Sequence, residues 1–442
     1  MQAMSMPASP PTRVPLYRRG PVARLLAVAL LAEIGYAVLN ISTMPVYLRE
    51  DRGFNSGVIG LVIVAFLLSE ALFKAPMGRF ADRFGRRRLM VLGTGMTFFT
   101  ALLTMVVPHT WGVSETLAIM LLRVVDGLGA AMLWPAAFAC MGDLVEDNER
   151  QESMSLLNTC YLLGIALALP LGGIFNDLFG RALADFSGER TPSLYFAAIL
   201  FAAATFMSYR SVPSGADLRQ MVKARRAART EPPENELANT LRALRTIPEY
   251  VTLGLLTFAG IGFPMVIIKL FAKDQFKMSE TQFGLLVLPG AIAMAVASVP
   301  MSRLGERIGQ ARAVHLGMGL CAVGMVVVAL GAVVPWLRTA FVLGLGGIPV
   351  GIGFLLAIPA WYATVSEIDP KNRAANIGAV MTAQGLGAMI GAPIGAWCYG
   401  AFHMVSPDFS RYTPFVGCAA CVLAAFVVSL RVIHPVPKAE SR

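Results

Sequence analysis

Apolar runs of about twenty residues recur along the whole chain, separated by short polar stretches. At roughly 1.5 Å of helical rise per residue, each run is long enough to cross a hydrocarbon core about 30 Å thick. Twelve can be read, beginning with 24–48, 57–77, 89–107 and 116–140 and ending with 339–363, 374–400 and 413–433. They are rich in Leu, Ala, Met, Gly and Phe and lack the period-two alternation of barrel strands. An all-α integral membrane fold with twelve spanning helices is expected. Only 14% of the 442 residues are charged, against about 25% in soluble domains.

Arginine and lysine concentrate on the cytoplasmic side of membrane proteins. With both termini inside, 26 of the 37 fall in cytoplasmic segments, 9 outside and 2 within spans. This bias accounts for the net charge of +10 without a nucleic-acid partner, and it points to a multi-pass protein of the cell (inner) membrane. The basic-then-apolar start also describes a signal peptide. Glu33 would interrupt its apolar core, however, and no small-residue cleavage site follows, so an uncleaved first helix is expected. The six cysteines lie in or at the ends of spans, and the Cys418–Cys421 pair is read as packing rather than redox or metal chemistry.

One long polar interruption, 211–248, divides the runs six and six. The expected organisation is a cytoplasmic tail (1–23), a six-helix bundle (24–210), a cytoplasmic linker (211–248), a second bundle (249–433) and a cytoplasmic tail (434–442). The halves resemble each other. An offset of 224 residues aligns Gly60 with Gly284, Asp82 with Glu306, Arg83 with Arg307 and Gly85 with Gly309. Repeats of six spans in one orientation predict two bundles around a central site, with access alternating as one rocks against the other.

The stretch GRFADRFGRRR, Gly78 to Arg88, joins the second and third runs. Taken alone it fits a nucleic-acid patch, an anionic-lipid contact or a tight charged turn between helices. Its residues Gly78, Arg79, Ala81, Asp82, Arg83, Gly85, Arg86 and Arg87 resemble the signature of the major facilitator superfamily of secondary transporters, with Phe80 where leucine is usual. A weaker copy runs from Ser302 to Arg312. In the fourth run, LLRVVDGLGAA resembles a family motif, keeping Arg123 and Gly127 but carrying Asp126 where glutamine is common. In the fifth, GIALALPLGG (Gly164, Pro170, Gly172, Gly173) is similar to the glycine-proline motif of the family's antiporters. It departs at Leu169 and in a proline-to-glycine spacing one residue shorter. The resemblance implies a two-bundle fold and a gating role for Gly78, Asp82, Arg83, Gly85, Arg86, Glu306 and Arg307.

Ionisable residues inside spans cost about 2.5–3.5 kcal/mol each at the bilayer centre and by default mark function. Five are found: Glu33, Glu70, Lys74, Arg123 and Asp126. Tyr36 and Asn40 follow Glu33 at i+3 and i+7 and share its helical face. Glu33, Arg123 and Asp126 are read as a proton-coupling group, because burial favours a protonated carboxyl and a nearby cation the charged one. The rival reading is a fixed bridge from Arg123 to Glu33 or Asp126. Glu70 and Lys74, spaced i, i+4, form an expected structural ion pair. Tyr36, Asn40, Trp134, Trp361, Tyr362 and Gln384 are the expected substrate-cavity residues, and they suit an amphipathic organic molecule.

The leading expectation is a proton-coupled exporter of hydrophobic or amphipathic small molecules, acting as a monomer among membrane lipids and needing no cofactor or metal. A proton-coupled importer of a small metabolite and a lipid or lysolipid flippase are the alternatives. No nucleotide-binding loop, metal-ligand cluster or hydrolase triad appears, so an enzyme is not expected.

Overall fold

In lipid a backbone must satisfy its own hydrogen bonds, and the apolar runs do so as helices. The computed structural model describes residues 15–145, 149–187, 191–213, 245, 247–368, 373–402, 404 and 406–434. Most of both tails and of the 211–248 linker lies outside the described residues. We number the long helices in chain order. In the N-terminal half these are α1 (Gly20–Glu50), α2 (Ser56–Phe84), α3 (Arg86–Val106), α4 (Val113–Leu144), α5 (Arg150–Ser187) and α6 (Ser193–Ser211). The C-terminal half holds α7 (Pro248–Met265 with Ile268–Phe276), α8 (Glu280–Ile308), α9 (Gln310–Ala329), α10 (Ala340–Ile368), α11 (Arg373–Ala401) and α12 (Pro407–Val432). The described residues contain no β-strand.

Each expected run falls on one of these helices, with two qualifications. α7 is bent by 44° after Pro264, and α8 is apolar over Glu280–Met294, beyond which several of its side chains lie outside those described. α1 carries a wide π turn at Val38–Thr43 just before Pro45, whose missing N–H leaves a carbonyl of the preceding turn free. Helix starts are capped where the sequence supplies an oxygen. Asn55 accepts from the Val58 N–H at 3.0 Å, and Ser279 and Gln282 form a reciprocal capping box at the head of α8.

The repeat is visible in the packing. Gly93 of α3 lies against the carbonyl of Gly129 of α4, and the residues 224 positions on, Gly317 of α9 and Gly353 of α10, make the same contact. Small residues let helix backbones meet closely in a membrane. The turns after α2 and α8 match as well: Gly85 has φ 95° and Gly309 φ 92°, a conformation that L side chains rarely adopt. Each also donates its N–H to the carbonyl four residues back, at 3.1 Å.

The helices alternate in direction, so α1 begins and α12 ends on one face, here the terminal face. The opposite, distal face is where the two halves meet. Gly60 at the distal start of α2 packs on Ala396 of α11, and a Cβ on Gly173 of α5 would lie 2.6 Å from the Glu280 backbone of α8.

Candidate functional site

Close approach of α1 to α5 builds the central site. A Cβ on Gly164 of α5 would lie only 2.6 Å from Cγ of Glu33, so glycine is what lets the carboxyl-bearing face of α1 sit there. Glu33 is 4% exposed and faces a cavity of about 700 Å³ of empty space. Around it stand Tyr36, Asn40, Phe66, Glu70, Trp134 and Tyr161, with Met265 and Val266 of α7 closing the far wall. Trp134 and the Glu33 carboxyl share a wall of this cavity. Asn40 donates to the Tyr36 carbonyl at 3.0 Å, leaving its own side-chain oxygen buried without a partner.

The expected polar face of α1 (Glu33, Tyr36, Asn40) and Trp134 are thus brought together in one cavity. Glu70 joins them while bonded to Lys74 at 2.7 Å, so a residue of the expected ion pair is also a cavity residue. Arg123 and Asp126 pair with each other and face α3, where Asp126 meets the Thr100 hydroxyl and Arg123 donates to Thr104 at 3.2 Å. Neither lines the cavity, and Arg123 does not reach Glu33. A polar ladder nevertheless joins the two places. The Tyr36 and Thr97 hydroxyls are 3.2 Å apart, and the Thr100 hydroxyl, 3.1 Å from the Thr97 carbonyl, donates to Asp126.

Trp361, Tyr362 and Gln384 do not line this cavity. Trp361 is fully buried among Leu253, Val314, Met318 and Val380, because the rotation of α10 turns it into the core of the C-terminal half. Tyr362 donates to Gln384 at 2.6 Å, tying α10 to α11. The GRFADRFGRRR stretch is helical except at Gly85, because α2 runs on to Phe84 and α3 starts at Arg86, so the expected turn narrows to one glycine. Arg86 bonds the Asp143 carboxylate and the Ala139 carbonyl of α4, Arg87 lies 4.6 Å over the Tyr209 ring, and Gly78 packs near Pro135. Arg83 and Arg307 are exposed. The side chains of Asp82 and Glu306 lie outside those described.

The distal end of the cavity is closed by an ionic seam that the sequence did not announce. Lys269 of α7 is 3% exposed, pairs with Glu280 of α8, and donates across the halves to the Ser42 carbonyl at 2.6 Å and its hydroxyl at 2.9 Å. Asn176 of α5 donates to Glu280 at 3.0 Å. Nearer the surface Arg49 bonds Asp274 at 2.9 Å, and Lys273 pairs with Glu50. Lys269 stands near the end of its apolar run and Glu280 beyond it; only the bend in α7 makes them a buried pair. Ser42 lies just past Asn40 and Ile41, so the seam caps the cavity immediately on its distal side.

A family model described as Major Facilitator Superfamily matches residues 25–250 and again 250–442. Multidrug resistance protein 2 of Bacillus subtilis (strain 168) is 22% identical over 384 residues, 84% of this chain and 88% of its own. Quinolone resistance protein NorA of Staphylococcus aureus is 26% identical over 150 residues, 34% of this chain and 37% of its own. The fold is similar to that of the nucleoside transporter NupG (TM-score 0.71, 12% identity, covering 93% of this chain and 98% of that one). A D-xylose-proton symporter is alike to a similar degree (TM-score 0.70, 16% identity, 94% of this chain and 98% of that one). With both halves matched by the family model and the paired six-helix bundles on view, the chain belongs to the Major Facilitator Superfamily, whose members are transporters rather than enzymes.

Proposed function

We propose that this transporter exports hydrophobic or amphipathic small molecules in exchange for protons, by alternating access. The observation that carries the reading is Glu33, a buried carboxyl on the wall of a largely apolar central cavity. A carboxyl so placed can be neutral when shut from water and ionised when the cavity opens or a polar substrate group approaches. Trp134 shares its wall of the cavity. The Arg123–Asp126 pair, joined to Tyr36 by the threonine ladder, is proposed as the second group that feels the charge state of the cavity. The Gly78–Arg87 segment, with its turn at Gly85, and its copy around Arg307 act as the terminal-side gate opposite the Lys269 seam. Similarity to the multidrug and quinolone resistance proteins supports export over uptake. The terminal face is proposed to be cytoplasmic, in the inner membrane, with the protein working as a monomer.

The test is reconstitution in liposomes with an imposed pH gradient and a panel of lipophilic dyes. Wild type is expected to move dye against protons, and Glu33→Gln to lose the dependence on the gradient while still binding dye. Equal transport by Glu33→Gln at every gradient would remove Glu33 as the coupling group. A lipid or lysolipid flippase is the second reading, favoured by a chamber in the C-terminal half whose described lining is apolar; movement of a labelled lysolipid but of no dye would select it.

A further inference from the structure

The central cavity is not the largest void. A chamber of about 1470 Å³, counting its open mouth where Met294, Ile348 and Ile352 are exposed, lies in the C-terminal half between α8 and α10, with Met325 of α9 and Phe415 of α12 at its back. Every described residue that lines it is apolar or glycine. The repeat explains why it exists. In the N-terminal half α2 and α4 meet at their backbones: a Cβ on Gly127 would lie 2.8 Å from that of Ser69, and the Ser69 hydroxyl donates to the Val124 carbonyl at 2.6 Å. The 224-residue offset carries Ser69, Val124 and Gly127 onto Ala293, Ile348 and Gly351. Ala293 has no hydroxyl to close the equivalent contact. Met294 is laid against Gly351 instead, its sulfur 2.6 Å from where a Cβ would be. A flexible thioether therefore stands where the N-terminal half has a locked helix pair.

The chamber adjoins the central cavity. Ile268, Phe283 and Leu343 of its wall belong to one apolar cluster with Ile41 of the cavity wall. Pro264 faces the chamber and its neighbour Met265 the cavity, so only one layer of apolar side chains at the bend of α7 separates them. An apolar void does not hold water favourably but takes hydrocarbon readily.

We propose that the chamber is a second binding compartment, receiving the hydrocarbon chain of a single-chain amphiphile whose polar end rests at Glu33, Trp134 and Asn40. This rests on reading the central cavity as the transport site. Adjacency to that cavity across the single apolar layer at the bend of α7, and the apolar character of every described lining residue, select a tail rather than a second polar group.

The test uses dodecyltrimethylammonium carrying a diazirine at its chain end, irradiated with the wild-type protein in nanodiscs, with adducts mapped by mass spectrometry. Adducts are expected on Met325 and Phe415 and are displaced by excess unlabelled amphiphile. Gly290→Leu and Gly347→Leu should lower them at least about tenfold, the equivalent of losing burial of some two methylenes. Both glycines line the chamber and have no atom within 4 Å of an added Cβ, so the fold tolerates the change and the void is filled. Adducts confined to the outward-facing Leu316 and Val323, or an unchanged yield in both variants, would overturn the proposal. So would labelling of Met325 by a diazirine-tailed phospholipid that the amphiphile cannot displace, which would make the chamber a resident-lipid site. Adduct position is read without transport, so absence of proton-driven flux in wild type counts against the transport reading and leaves the chamber result standing.

Discussion

Lys269 of the C-terminal half donates to the backbone carbonyl of Ser42 in the N-terminal half at 2.6 Å, while its charge is held by Glu280. A backbone acceptor on a π turn is a fixed point, and the lysine that reaches it can do so only when the halves are together on the distal side. Breaking a buried ion pair from one side costs about 3–5 kcal/mol, because the other charge is left uncompensated. Lys269→Met should therefore weaken distal closure, and spin labels on the distal ends of α1 and α7 should report a broader, longer distance distribution. Lys269→Met with Glu280→Met removes both charges and should recover part of the closed population. Unchanged distances in the single variant would show that the seam does not hold the halves.

Gly164 makes a prediction of a different kind, because it is needed for space. Its Cβ would press on the Glu33 side chain and lie 3.1 Å from the Ile34 nitrogen, and neither neighbour can yield without moving α1. Gly164→Ala should cost about 1–3 kcal/mol of stability, as overpacking does, and should lower gradient-driven transport by displacing the carboxyl. Gly400→Ala, with no atom near its added Cβ, is the matched control. Thermal unfolding in detergent and liposome flux should separate the two.

Much of the fold was legible because hydrophobic length is a one-dimensional signal, and the 224-residue repeat told which halves to compare. The face of Glu33, Tyr36 and Asn40 was legible for the same reason: helical spacing alone puts them together. What could not be read is rotation. Nothing local says that α10 turns Trp361 into the bundle core, or that Arg123 looks toward α3 instead of Glu33. Lys269 was hidden by a bend, since a straight α7 would carry it toward the distal surface instead of onto Ser42 and Glu280. Asp143, the partner of Arg86, belongs to the end of another helix and has no motif of its own.

The equivalent turns at Gly85 and Gly309 predict equal responses to mutation. Both have φ above 90° with ψ of 131° and 141°, a region open essentially to glycine. Gly85→Ala and Gly309→Ala should each destabilise by about 1–3 kcal/mol through backbone strain, although an added Cβ meets no atom within 4 Å at either site. A melting temperature unchanged in both variants would mean that the turns relax. A drop in only one would show that the two halves have diverged at this turn despite the shared backbone geometry.

Arg52 supplies the strictest test of how the N-terminal half is held on its distal side. Its guanidinium is buried against Glu115 at 3.1 Å and the Tyr47 hydroxyl at 2.7 Å, and it also donates to the Thr104 and Val107 carbonyls at 3.1 and 2.6 Å. Those carbonyls belong to the last turn of α3 and the residue after it, where the helix has no N–H groups of its own left to offer. One side chain thus ends α3, anchors the head of α4 through Glu115 and holds the loop after α1. Lysine could satisfy one or two of these partners but not four, since its ammonium lacks the planar fork. Arg52→Lys should therefore destabilise nearly as much as Arg52→Ala, and both by about 3–5 kcal/mol, as removal of one member of a buried pair does. Glu115→Gln, which keeps an acceptor, should cost less. Denaturation midpoints in matched detergent would check the order, and an Arg52→Lys variant as stable as wild type would mean that charge, rather than the fork, does the holding.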